Sequence, residues 1–168
     1  MPHLHTDNLE LITFTKDMMQ AATSTREELE RATGYPVAIG YPSETYKEIL
    51  PYKIQRYRDF PEENEWEGLI IHKQDQCIIG DMGFRRSTDN PKEIELGYSI
   101  VPAYEGHGYA TEMAKAIIEW GLALEGIERI IASCDPNNAA SARVLEKAGF
   151  TSLGEREGKV YWSTVTNR

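Results

Sequence analysis

Glu105-Gly106-His107-Gly108-Tyr109-Ala110-Thr111 sets two glycines one residue apart where an expected strand gives way to an expected helix. Glycine lets a backbone approach a ligand closely, several amide N–H groups can converge there, and the helix dipole adds partial positive charge. That combination binds a phosphate or pyrophosphate. A Walker loop needs a Lys-Ser/Thr pair after its last glycine. A dinucleotide fingerprint needs a third glycine or alanine where Thr111 stands. Neither nucleotide motif fits, and a Gly-x-Gly at a helix start is equally the sequence of a tight turn, so its neighbours must make it specific.

The segment Glu93 to Val101 alternates as a strand, with Ile94, Leu96, Tyr98 and Ile100 on one face and Glu93, Glu95, Gly97 and Ser99 on the other. A carboxylate on the polar face of such a strand can serve as a general base where a reaction must remove a proton. Glu95 is the candidate base, set against a solvated or salt-bridged strand carboxylate. Asn138, after Asp135-Pro136, reads as a helix N-cap, and Ser141 as a first-turn hydroxyl. His72 follows an apolar strand and His107 lies in the glycine loop. Neither has a partner at ligand spacing, so no metal is expected. Cys77 and Cys134 sit in β-branched apolar stretches, which suits reduced, buried thiols.

The elements that must position these groups follow from periodicity and turn chemistry. Leu9 to Phe14 reads as a first strand and Thr15 to Ala32 as one or two helices, Ser24-Thr25-Arg26-Glu27 resembling a capping box. Gly34, Pro36, Gly40 and Pro42 mark a loop. Ser43 then caps a helix reaching towards Tyr57, with Pro51 a point for a kink. Tyr35, Tyr41, Tyr46, Tyr52 and Tyr57 read as core aromatics ahead of a substrate pocket. Trp66 to Lys73 and Cys77 to Arg85 form a hairpin about Gln74-Asp75-Gln76, which Glu93 to Val101 extends. Ala110, Met113, Ala114, Ile117, Gly121 and Leu124 stripe a long amphipathic helix. Arg129 to Cys134 is a short strand, a helix ends at Gly149, and Thr151 to Glu155 with Lys159 to Thr164 make a last hairpin. Strand, helix, strand, helix implies a right-handed parallel crossover.

The 168 residues, 40% hydrophobic, supply one ordinary core, so residues 1–168 are expected to form a single domain. No run approaches the ~18 apolar residues of a membrane span, and the polar start from Met1 to Asp7 lacks a signal peptide's basic and apolar parts. No membrane association is expected, and the cytoplasm is the expected compartment. Twenty-seven acidic against eighteen basic residues give a formal net charge of −9. That sign disfavours nucleic acid and favours amine-bearing partners, and plain solubility accounts for it at least as well. The sequence leaves a homodimer open.

Three segments together resemble the GNAT superfamily of acyl-CoA-dependent N-acetyltransferases. Gly106-His107-Gly108-Tyr109-Ala110-Thr111-Glu112 looks like its pyrophosphate loop. Asn138-Ala139-Ala140-Ser141 with Val144-Leu145-Glu146-Lys147-Ala148-Gly149-Phe150 is similar to its second cofactor segment, and Glu95-Leu96-Gly97-Tyr98 to its pantetheine strand. The resemblance implies an α/β fold: a mixed, mostly antiparallel sheet of six to seven strands, flanked by helices and splayed between two parallel central strands to admit CoA. It implies that Gly106 to Ala110, within the loop from Glu105 to Thr111, hold the pyrophosphate of acetyl-CoA. Ile100 and Val101 would pair with the pantetheine as an added strand. Asn138 would meet that arm, and Ser141 would lie near the thiol and donate to the leaving sulfur, with Tyr98 and Tyr109 as alternatives. Ala103 departs from the Gln or Arg of many members. This departure, with Tyr-Ala-Thr-Glu, resembles the ribosomal-protein N-terminal acetyltransferase (RimJ/RimL-type) branch. The implied activity is acetyl transfer in a ternary complex to a primary amine, foremost a protein or peptide N-terminus. The alternatives are a small amine such as a polyamine or aminoglycoside, or a non-catalytic acetyl-CoA-binding module.

Overall fold

The computed structural model describes residues 3–165. In chain order these form β1 (Leu4–His5), β2 (Leu9–Thr13), α1 (Lys16–Ser24), α2 (Arg26–Thr33), α3 (Glu44–Asp59), β3 (Glu67–His72), β4 (Cys77–Arg86) and β5 (Glu93–Ile100). Then come α4 (Tyr109–Leu122), β6 (Arg129–Cys134), α5 (Ala139–Lys147), β7 (Thr151–Arg156) and β8 (Lys159–Val165). Short 3-10 turns occupy Pro61–Trp66 and Pro102–Tyr104.

The strands make one mixed, open eight-stranded sheet in the order β1-β2-β3-β4-β5-β6-β8-β7, an α/β fold flanked by helices. β5 and β6 run parallel, Glu93 opposite Arg129 and Glu95 opposite Ile131. The connection between them is α4, since parallel neighbours need a crossover. The count of six to seven strands is therefore corrected to eight. The added strand is β1, too short to show alternation; it exists through cross-strand pairing of Leu4 with Leu11 and His5 with Glu10. No helix among the described residues is long and apolar enough to cross a membrane.

The chain divides into two compact units. One holds the residues up to Met82 with Tyr98–His107, the other Gly83–Gly97 with the residues from Gly108 on. In the first, Leu9, Leu11, Phe14, Met19, Leu29, Leu50, Leu69, Ile70 and Ile71 are fully buried. Its helices start on side-chain caps: Thr15 accepts from the Met18 N–H, Thr25 from Glu28 and Ser43 from Tyr46. Each such cap is worth about 1 kcal/mol. The expected capping box is displaced by one residue, because Ser24 closes α1 and Thr25 opens α2. In the second unit Met113, Ala114 and Ile117 of α4 and Ile130 of β6 are fully buried. Phe84 stacks on Trp120 at 6.1 Å, and Gly121 leaves room for the Phe84 ring, which a Cβ would meet at 2.7 Å.

Gly80 marks a tighter constraint. A Cβ there would lie 2.0 Å from the Ser99 carbonyl oxygen and 3.1 Å from the Ile100 Cα. Both obstacles are backbone, held by the adjacent bond from the Val101 N–H to the Ile79 carbonyl at 2.9 Å. Gly80→Ala is expected to destabilise the protein by about 3 kcal/mol or more. At this chain length that lowers Tm by roughly 6–12 °C, as calorimetry would record.

Candidate active site

Val101 is buried, with an extended backbone leading into the turn Pro102–Tyr104. Its N–H is bonded to Ile79 and its carbonyl accepts from Tyr104. Successive backbone groups on a strand point to opposite edges. Ile100 therefore directs its N–H and carbonyl away from β4. Of the two residues expected to pair with a pantetheine, Val101 has its N–H committed inside the chain, whereas the Ile100 groups face the other edge. The Tyr104 hydroxyl donates to Asp75 at 2.6 Å and lies 3.4 Å from the Cys77 sulfur, anchoring the turn before the glycines.

Gly106 and Gly108 adopt φ of +79° and +80°, the left-handed region that costs other residues about 1–2 kcal/mol. A Cβ at either would meet nothing within 4 Å. The glycines are thus required by the backbone, and the space beside each is open. Gly108 is the N-cap of α4, and no side chain among the described residues caps that helix. An α-helix leaves its first N–H groups without intrahelical acceptors. The Glu112 N–H bonds the Gly108 carbonyl, while the amides of Tyr109, Ala110 and Thr111 belong to the first turn. An open backbone cradle at a positive helix end fits a pyrophosphate. Glu105 and His107 are exposed beside these glycines.

Asn138 is the N-cap of α5, and its Oδ1 accepts from the Ser141 N–H at 3.0 Å. The capping role occupies the oxygen, so a ligand contact by Asn138 falls to its Nδ2. Ser141 sits in the first turn of α5, half-buried.

Glu95 is paired with Arg85, whose Nε lies 2.9 Å and Nη2 2.7 Å from Glu95 Oε2. The carboxylate is one-fifth exposed. Glu93 is deeper, bonded to Arg129 and Ser87. Both carboxylates thus have cationic partners. Neither Cys77 nor Cys134 is in a disulfide; Cys134 is buried, and Cys77 is half-buried against the Tyr104 hydroxyl.

A third carboxylate, which periodicity did not single out, lies in the first unit. Asp81 on β4 is 3% exposed and accepts from the Tyr41 hydroxyl at 2.8 Å and the Ser99 hydroxyl at 3.0 Å. Burial and the charge of Glu67 raise its pKa to about 7, against the opposing pull of Tyr41, Lys53 and Ser99. Glu67, equally buried, accepts from Lys53 Nζ at 2.5 Å and from the Tyr57 hydroxyl at 3.3 Å. The Tyr46 hydroxyl is buried without a partner among the described residues, and burial holds it and Tyr41 firmly protonated. The tyrosines read as core divide accordingly: Tyr41 and Tyr57 are buried in this polar cluster, Tyr46 is half-buried and Tyr52 is exposed. The signal for Asp81 was a lone charge amid the apolar run Ile78-Ile79-Gly80-Asp81-Met82.

Comparison with known proteins puts this geometry in context. The family model of the acetyltransferase (GNAT) domain matches residues 8–151. An uncharacterized N-acetyltransferase of Bacillus subtilis, YjdG, is 29% identical over 168 residues, covering 97% of this chain and 98% of its own. The structure of a ribosomal-protein-S5-alanine acetyltransferase from Vibrio fischeri superimposes with a TM-score of 0.69 at 19% identity, covering 97% of this chain and 96% of the other. That of RimL, a ribosomal L7/L12 α-N-protein acetyltransferase in complex with coenzyme A, gives 0.67 at 17% identity, with 95% of each chain covered. With a family model spanning most of its length and a glycine cradle opening an uncapped helix, the chain belongs to the GNAT family of acetyltransferases.

Proposed function

We propose that this N-acetyltransferase uses acetyl-CoA and acts foremost on the N-terminal amine of a protein or peptide. The left-handed pair Gly106 and Gly108 at the uncapped start of α4 carries the cofactor reading. The ribosomal-protein acceptors named for the Vibrio fischeri enzyme and RimL support the acceptor reading and the RimJ/RimL-type branch. A small cationic amine is the second reading, favoured by the net charge of −9.

When bound, acetyl-CoA supplies an activated acetyl thioester. The amides from Gly106 to Ala110 hold the pyrophosphate, within the loop from Glu105 to Thr111, and the α4 dipole complements its charge. The Ile100 backbone pairs with the pantetheine beside Val101, and Asn138 Nδ2 donates to that arm. Ser141 Oγ donates to the departing sulfur.

For the proton released by the amine, Asp81 is the acceptor we favour, reached through the half-buried Ser99 hydroxyl. Its pKa near 7 matches a base working at neutral pH. Glu95 is the second reading, favoured by its partial exposure on β5.

Acetyl-CoA is expected to raise Tm, since a ligand bound only by the native state contributes about 2.7 kcal/mol at a hundredfold excess over Kd. No shift at millimolar acetyl-CoA would remove the cofactor reading. An acceptor screen with acetyl-CoA, read by thiol release and product mass, then separates peptides from small amines. A protein that binds acetyl-CoA but turns over no amine would be a binding module.

A further inference from the structure

β1 is the edge strand of the sheet, and two residues are its whole length. His3 precedes it and His5 ends it, two residues apart in extended chain, which directs both rings to one face. Antiparallel pairing sets His5 opposite Glu10 of β2. The His3 and His5 rings have centroids 4.9 Å apart, and His3 Nε2 lies 2.7 Å from Glu10 Oε1. One donor atom from each of His3, His5 and Glu10 falls within 4.8 Å of both others. Both histidines are exposed and Glu10 is half-buried.

We propose that His3, His5 and Glu10 form a surface site for a divalent late transition-metal ion of the zinc, nickel and copper group. A tetrahedral zinc ion with ligands at ~2.0–2.2 Å spaces its donors about 3.3–3.6 Å apart. The His3–Glu10 pair is closer than that and no donor pair exceeds 4.8 Å, so small side-chain rotations close the site. Two imidazole nitrogens and one carboxylate select this metal group over magnesium and calcium, which take oxygen ligands. A hydrogen bond between His3 and Glu10 alone would account for two of the three groups but not for His5, whose strand register delivers it to the same point. The metal joins β1 to β2 and so holds an edge strand whose own ladder is two residues long.

Linear spacing about His72 and His107 offers no metal site. At β1 the third ligand comes across a strand pair, which no linear spacing finds. The site is independent of the acetyl-transfer reading, and neither histidine belongs to the cofactor or proton machinery.

The test uses the full chain without a histidine tag, stripped of metal and titrated with Zn²⁺ by calorimetry and by competition with a chromophoric chelator. One Zn²⁺ per chain with micromolar Kd and a higher Tm on saturation are expected. His3→Ala, His5→Ala and Glu10→Gln should each weaken binding more than ~10-fold. The His3→Ala/His5→Ala double variant should lose the Tm gain while keeping the acetyl-CoA shift, which shows that it is folded. Mg²⁺ in large excess should not displace Zn²⁺. The proposal is overturned if the double variant binds Zn²⁺ as tightly as the parent, if the parent binds no tighter than millimolar, or if Mg²⁺ competes on equal terms.

Discussion

Asp81→Asn is expected to lower kcat/KM by ~10²–10⁴ at neutral pH while leaving the protein as stable as the parent or more so. The two effects share one cause. Burial raises the Asp81 pKa from an ordinary carboxylate value of 3.8 to about 7. The folded state therefore prefers the protonated acid, whose contribution is fully present below the unfolded pKa. It is lost as pH rises from about 4 to about 7, by on the order of a few kcal/mol. Asparagine never ionises and still offers a carbonyl oxygen to Tyr41 and Ser99, so its advantage over aspartate grows across that same range. Catalysis runs the other way, because a base works only when ionised. The parent's kcat/KM should rise with pH through about 7, and Asp81→Asn should abolish that limb. Urea unfolding and pH–rate profiles, with acetyl-CoA affinity as the control, check both halves. Glu95→Gln separates the two carboxylates. If it, and not Asp81→Asn, costs ~10²–10⁴ with a loss that shrinks as pH rises, the proton goes to Glu95.

Gly108→Val should abolish acetyl-CoA binding with a modest loss of stability. At φ +80° a β-branched residue is a conformational outlier costing about 1–3 kcal/mol. A Cβ there meets no atom within 4 Å, so the protein leaves room where the side chain begins. The added side chain stands in the open space assigned to the pyrophosphate. Gly126 supplies an internal control, with φ of +82° and equally open surroundings, but outside the loop. Gly126→Val should carry the same backbone cost and keep the acetyl-CoA affinity. Calorimetry on the pair distinguishes a binding cradle from a strained turn: equal affinities would show the loop to be only a turn.

Much of the fold was legible because its elements announce themselves locally. The strands from Leu9, Cys77 and Arg129 alternate or run apolar, the α4 stripe has helical period, and Ser43 and Asn138 sit where caps belong. β1 was not legible, since two residues carry no period and only pairing with Leu11 and Glu10 defines them. The frame of the α2 cap was missed by one position because Ser24 and Thr25 have equal capping chemistry. Whether the chain continues α1 through Ser24 decides between them. Within the site, the glycine cradle and the Asn138 cap were readable from residue types. The Tyr41–Asp81–Ser99 contact joins residues 40 and 18 positions apart. An aspartate in a strand says nothing of its neighbours until the strands are laid side by side. The Arg85 partner of Glu95 was hidden for the same reason.

The position of β8 bears on how the protein assembles as it is made. β8 follows β7 in the chain yet lies between β6 and β7, with Arg129 to Cys134 of β6 paired to residues Val165 to Val160. While the polypeptide grows, β6 has an unpaired edge until β8 has emerged, and β7 has no neighbour to join. That half of the sheet cannot zip up in the order of synthesis. It closes when the β7–β8 hairpin docks through β8 on β6, and until then the β6 edge is open to other nascent chains.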